Sequence, residues 1–127
     1  MASSQAVPRA PLLTSEQRDQ LLDNGRKQQG AQAEGGEADF FPVVKLFTPD
    51  AGATWLLSEL DPEDPDIAFG LCVLGLGFPE LGYVSLSELE ALRGPLGLPV
   101  ERDIHFTAKK PITDYARDAH AAGRIVT

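Results

Sequence analysis

One cysteine is all this chain has, so an internal disulfide is excluded, and because Cys72 lies in an apolar run a reduced, buried thiol is expected. Long apolar stretches are also lacking. None reaches the roughly 18 residues that a membrane-spanning helix needs. The opening residues (MASSQAVPRAPLL) have no basic stretch followed by a long apolar run, so no signal peptide is expected and the protein is placed in the cytoplasm, away from membranes. Cations are scarce: 11 Lys and Arg face 19 Asp and Glu, a formal charge of −8 over 127 residues. That balance disfavours phosphate backbones, which reward clustered Lys and Arg. Nucleotide signatures are missing too. Gly75-Leu76-Gly77 has Glu80 where a dinucleotide fingerprint needs its third glycine, and P-loop spacing occurs nowhere. Ser85 and Ser87 sit in no nucleophile elbow and read as helix caps. No cofactor and no catalytic residue is assigned.

What the chain does have is a dense block over residues 40–106, in which apolar runs alternate with Pro, Gly and Asp turns. Lys45, Arg93 and Arg102 stand there against eleven Asp or Glu, a balance of −8, while the flanks carry −2 and +2 and cancel. This divides the chain into a flexible N-terminal segment with one short helix and a linker (1–39), an α+β core (40–106), and a C-terminal helix and tail (107–127). Residues 1–11 are small and polar and are expected to be disordered. Thr14 and Gln17 have the spacing of a capping box, which starts a helix over 15–24 that Gly25 would stop. Residues 26–39 read as a Gln- and Gly-rich linker.

In the core, strands are expected over 40–48 and 54–60, joined as a hairpin by Pro49-Asp50-Ala51-Gly52, with Gly52 able to take positive φ. The prolines of DPEDPD argue against a central strand over 61–66. Residues 67–76 are nearly all apolar and read as a central strand, with a short strand over 81–84. Ser85 and Glu88 match a second capping box, opening a helix with a Leu86/Leu89/Leu92 stripe that Gly94-Pro95 ends. Val100, Ile104 and Phe106 alternate as the inward face of a last strand, and a final helix runs over 114–122. The fold class expected is α+β: a mostly antiparallel sheet of about five strands with short helices packed on one face.

Three groups of residues bear on function. DPEDPD resembles a calcium loop but puts Asp66 at the sixth position and Cys72 at the twelfth, where glycine and glutamate belong, so a solvated acidic turn is the better reading. Glu101, Asp103 and His105 recur every second residue and would share a strand face, a pattern able to bind a divalent metal and equally the ordinary polar side of a half-buried strand. Arg102, on the apolar side, is expected to pair with Glu80 or Glu90 at the sheet edge. Glu59, Asp61, Glu63, Asp64, Asp66, Glu80, Glu88 and Glu90 form the third group, an expected interaction surface whose spaced carboxylates imitate phosphates and suit a basic cleft. In the tail, Lys109, Lys110, Arg117 and Arg124 are the cations able to touch nucleic acid, set against a plain solvated helix.

The motifs VVKLFTP, TWLLSELD, FGLCVLGLGFPELGYVSLSELE and GLPVERDIHF, between Pro42 and Phe106, together resemble a bacterial family known as domain of unknown function 2958. That family commonly has Asp after the cysteine; Val73 stands there in this chain, which puts in doubt any site built on that Asp. The resemblance implies an intracellular protein often carried on plasmids and other mobile elements, and implies no activity. Two functions compete. One is an accessory protein that binds a host or plasmid protein through its negative surface, in the manner of a DNA mimic. The alternative is a small metal-dependent hydrolase or nuclease-like enzyme using Glu101, Asp103 and His105.

Overall fold

The computed structural model describes residues 11–127. The expectation of disorder over 1–11 therefore falls, Pro11 apart, outside the described residues. The elements are α1 (Ser15–Ala33), β1 (Val44–Phe47), β2 (Thr54–Asp61), β3 (Asp64–Val73), β4 (Glu80–Ser85), α2 (Leu86–Ala91), β5 (Glu101–Arg102) and α3 (Ile112–Ala122). The five strands form one antiparallel sheet in the order β4-β3-β2-β1-β5. The α+β class and the five-stranded sheet are as expected. Among the described residues no helix is long and apolar enough to cross a membrane.

Side-chain alternation gives the sheet two buried faces. On one, Trp55 and Leu57 of β2 pack with Ala68 of β3, with Leu21 of α1, and with Leu86 and Leu89 at α2. On the other, Leu56, Leu71 and Val73 pack with Ile112, Tyr115, Ala116 and Ala119 at α3. The helices thus divide between the faces rather than sharing one as expected, because both parities of β2 and β3 are apolar and each needs a cover. A register shift between Leu57 and Glu59 adds one residue to β2. The bulge puts Leu57 and Leu60 in the same cluster although they are three apart.

Helix α1 departs most from expectation. The capping box is present: Gln17 N donates to Thr14 Oγ1 and Thr14 N donates to Gln17 Oε1, both at 3.0 Å. Gly25, however, does not stop the helix, which continues to Ala33 and ends where Gly35 takes φ 82°. Gly25 is where α1 meets β2: a Cβ there would lie 1.9 Å from Leu60 O. Next to it, the buried Asn24 donates from Nδ2 to Ser58 O at 2.9 Å, satisfying the carbonyl freed by the bulge. The stretch read as a linker is held by amides. Gln28 donates to Ala38 O at 3.0 Å and to Glu59 Oε1 at 3.1 Å, and accepts from Ala38 N at 2.9 Å.

Three smaller expectations also change. The prolines of 61–66 do not keep all of that run out of the sheet: Asp61 and Asp64 pair across the β2–β3 turn and β3 begins at Asp64, with Pro65 ahead of the stretch that pairs with β4. Gly52 does not take positive φ; its Cα instead approaches Gly75, where a Cβ would lie 3.2 Å away. The last strand is only Glu101–Arg102, because Asp103 turns the chain by accepting from His105 N at 2.9 Å through Oδ1 and from Phe106 N at 3.3 Å through its carbonyl. Val100 is buried as expected, but Ile104 is 75% exposed.

Candidate functional site

On the face shared by α1 and α2, a groove of about 580 Å³ lies between α2 and the loop joining β3 to β4. Its floor comes from alternate residues of three strands: Trp55 and Leu57, Gly70 and Cys72, Gly82 and Val84. Gly70 and Gly82 are register partners, so two neighbouring floor positions carry no side chain. Gly70 is required by packing, since a Cβ would lie 2.0 Å from Leu56 O beside the bulge. Gly82 is not: a Cβ there would meet nothing within 4 Å. Gly75 and Gly77 take φ of 85° and 79°, which turns the loop sharply and leaves Leu74, Leu76 and Phe78 along the groove wall, 60%, 73% and 74% exposed. Leu89 and Leu92 form the opposite wall. Among the described residues the charged members of the lining are Glu80 and Glu88, and no Lys or Arg lines it.

Cys72 lies in this floor as a free thiol. Burial pushes its pKa up to about 11, the nearby Glu80 adds to the rise, and a side-chain hydrogen bond with Trp55 opposes it. At neutral pH the group is a protonated thiol, a poor nucleophile.

A second groove, of about 450 Å³, runs between α1 and the β2–β3 turn. Glu59, Asp61 and Glu63 line it together with Gln28, Gln29 and Gln32. Burial raises the Glu59 pKa against the lowering effect of the Gln28 hydrogen bond. Gln29 donates to Glu63 Oε2 at 3.4 Å. Among the described residues no Lys or Arg lines this groove either, and Tyr83, 72% exposed, lines both. Among the described residues the ion pairs are Lys27–Asp23, Lys45–Asp103, Lys110–Asp118 and Arg117–Asp114, none of which uses a groove carboxylate.

The structure separates the other candidate residues by role. Asp66 is committed to the start of α2: it accepts from Ser85 Oγ at 2.6 Å, Ser87 N at 2.9 Å and Ser87 Oγ at 2.9 Å. These bonds hold its carboxyl below the usual carboxylate value. Ser85 Oγ accepts from Glu88 N at 3.2 Å, but the reciprocal bond, from Ser85 N to the Glu88 carboxylate, is not formed among the described residues, and Asp66 accepts from Ser87 N in the first turn. Asp64 accepts from Asp66 N at the start of β3. Glu90 is exposed on α2, and its carbonyl accepts from Arg93 at 2.9 Å. Arg102 pairs with neither Glu80 nor Glu90; it donates to Pro11 O at 2.9 Å and Leu12 O at 3.1 Å, tying the start of the described chain to β5. Glu101, Asp103 and His105 do not converge, since the turn at Asp103 ends the strand on which they would share a face and Asp103 lies 3.7 Å from Lys45 Nζ. Among the described residues no three His, Cys, Asp or Glu side chains are placed to hold one metal ion. In the tail, Lys110 and Arg117 are paired with Asp118 and Asp114, and the Lys110 ammonium lies 4.8 Å above the Tyr115 ring.

A profile described as protein of unknown function, DUF2958, matches residues 12–126. The chain belongs to this family. The resemblance carried by the motifs between Pro42 and Phe106 therefore holds, and the DUF2958 match extends over α1 and α3 as well. Neither the curated proteins nor the solved structures gave a match.

In this DUF2958 chain the apolar groove was missed in the sequence. Leu74 and Leu76 look like the continuation of a buried strand, and the pairing of Gly70 with Gly82 needs the β3–β4 register. The one available signal was three large apolar residues separated by Gly75 and Gly77, a spacing that favours a loop over a ladder.

Proposed function

We propose that the protein is a small acidic interaction protein that binds a cationic surface of a protein partner along the two grooves whose linings share Tyr83. One observation carries this: five carboxylates (Glu59, Asp61, Glu63, Glu80 and Glu88) line the two grooves, and among the described residues no Lys or Arg lines either. Uncompensated charge of one sign around concave surface attracts the opposite charge, speeds encounter and rejects partners of like sign. Support also comes from the non-convergence of Glu101, Asp103 and His105, which leaves the metal-dependent reading without its ligand set among the described residues. In the setting implied by the resemblance, a bacterial mobile element, the partner is a host or plasmid protein inside the cell. A protein that normally grips DNA offers the cationic cleft that spaced carboxylates suit.

The test is retention of host proteins on the immobilised protein and on a Glu63→Gln/Glu80→Gln/Glu88→Gln variant. A basic protein held by the parent, released as salt rises from about 0.05 to about 0.5 M and not held by the variant, supports the reading. Retention indifferent to both salt and the substitutions overturns it.

A further inference from the structure

The groove beside α2 has more shape than charge attraction alone requires. The floor is sunk where Gly70 and Gly82 face each other across β3 and β4, and the space above Gly82 is open to 4 Å. Leu74, Leu76 and Phe78 stand along one wall, more than half exposed, and a contiguous apolar rim of this kind marks a surface that something covers. The groove's volume, about 580 Å³, lies in the range of sites that enclose a ligand. Among the described residues, Glu80 and Glu88 are its only charged lining residues.

We propose that this groove seats a basic amphipathic peptide segment of the partner: a large apolar side chain sits over Gly70 and Gly82, and flanking Lys or Arg side chains lie against Glu80 and Glu88. The inference rests on the protein-binding reading above and narrows it to one groove and one chemistry. Charge complementarity selects the occupant. A second copy of this chain would bring the same two carboxylates and a further net charge of −8 to a rim already negative. A basic segment neutralises the rim while its apolar side chain fills the floor.

Trp55, the only tryptophan, lines the floor and reports occupancy by its emission. The probe is a short synthetic peptide of leucine and lysine in amphipathic order, with leucine-to-serine and lysine-to-glutamate versions and a single-chain quaternary ammonium as comparisons. The leucine–lysine peptide is expected to bind, to shift Trp55 emission and to weaken with salt, while the serine and glutamate versions do not bind. Gly82→Phe, which enters open space, is expected to weaken the peptide by roughly tenfold or more, because one large apolar side chain loses its seat. Leu76→Ser, at an exposed position that cannot unfold the core, weakens it in the same direction. Glu80→Gln/Glu88→Gln lowers affinity and flattens the salt dependence.

Peptide binding that Gly82→Phe and Leu76→Ser leave unchanged, or that does not move Trp55 emission, overturns the proposal. If that binding is still salt-dependent, the acidic-surface reading stands without it. Binding of the quaternary ammonium and not of the peptide also overturns it, in favour of a small-ligand site. A parent that binds no leucine–lysine peptide ends this proposal, and the retention experiment then judges the broader reading separately.

Discussion

Gly25→Ala and Gly30→Ala place the same substitution on the same helix and should move stability in opposite directions. Helix propensity alone favours both, by about 1 kcal/mol each, because alanine loses less backbone entropy than glycine. At Gly30 nothing lies within 4 Å of the added Cβ, so the propensity gain is realised, worth roughly 3–6 °C in Tm for a chain of this size. At Gly25 the Cβ would sit 1.9 Å from Leu60 O and 3.1 Å from both Leu60 C and Pro62 Cδ. Clearing Leu60 O means moving from 1.9 Å to beyond 3.0 Å, more than an ångström, and the carbonyl belongs to a central strand that cannot yield. Helix α1 must move instead. Overpacking of this kind costs about 1–3 kcal/mol. A shift of that size also stretches the buried bond from Asn24 Nδ2 to Ser58 O, whose loss costs a further ~1–3 kcal/mol. Set against the propensity gain of about 1 kcal/mol, the net destabilisation is about 1–5 kcal/mol. Urea unfolding followed by Trp55 emission measures both variants. A Gly25→Ala protein as stable as the parent, alongside a stabilised Gly30→Ala, would show that α1 does not cross β2 at Leu60.

Two titrating groups give further predictions, with opposite signs. Burial raises the Cys72 pKa from 9.0 to about 11, so the unfolded chain loses this proton first as pH rises, and the stability held by the neutral thiol is complete below pH 9 and lost between about 9 and 11. With the thiol only partly buried, solvent screening reduces the loss to about 1–2 kcal/mol; Cys72→Ala should lack this component when unfolding is compared at neutral and alkaline pH. For Asp66 the folded pKa lies below 3.8, so its contribution is present above that pH and lost as acid carries the solution down through the lower folded value. Asp66→Asn should therefore unfold more easily than the parent at neutral pH and converge with it in acid. Amide exchange at Ser87 and Glu88 should rise in the variant, because Asp66 accepts from Ser87 N and fixes the Ser85 hydroxyl that caps Glu88 N.

What could be read in the sequence was local, and what could not depended on pairing. The Thr14/Gln17 box, the β1–β2 hairpin and the start of α2 each rest on residues within a few positions of one another, and each appears where its spacing put it. Gly25 misled because a glycine needed for close approach to another chain segment looks the same in sequence as one that ends a helix; only the position of Leu60 tells them apart. The glutamines after it read as linker because their anchoring is by amide hydrogen bonds rather than apolar burial, and periodicity does not register that. Alternation over 100–106 was real but was overridden by the turn that Asp103 makes. The carboxylates were visible as a group. Their division into helix-capping Asp66 and groove-lining Glu80 and Glu88 required the fold.

The acidic surface and the apolar groove also constrain each other. A chain that exposes Leu74, Leu76 and Phe78 on one loop, next to an outer strand whose Leu81 and Tyr83 are exposed, presents two routes to self-association. Beyond a Debye length of about 8 Å at physiological salt, repulsion between copies fades; at closer range, Glu80 and Glu88 of one groove would meet those of another. The carboxylates that attract a cationic segment thus hold identical copies apart. The two effects respond oppositely to ionic strength: raising salt should weaken a basic peptide while promoting association of the protein with itself. Sedimentation over a salt series, with and without Glu80→Gln/Glu88→Gln, measures the second effect. Neutralising the pair should permit association at low salt, and a variant that stays monomeric wherever the parent does would mean that these two carboxylates do not guard the groove.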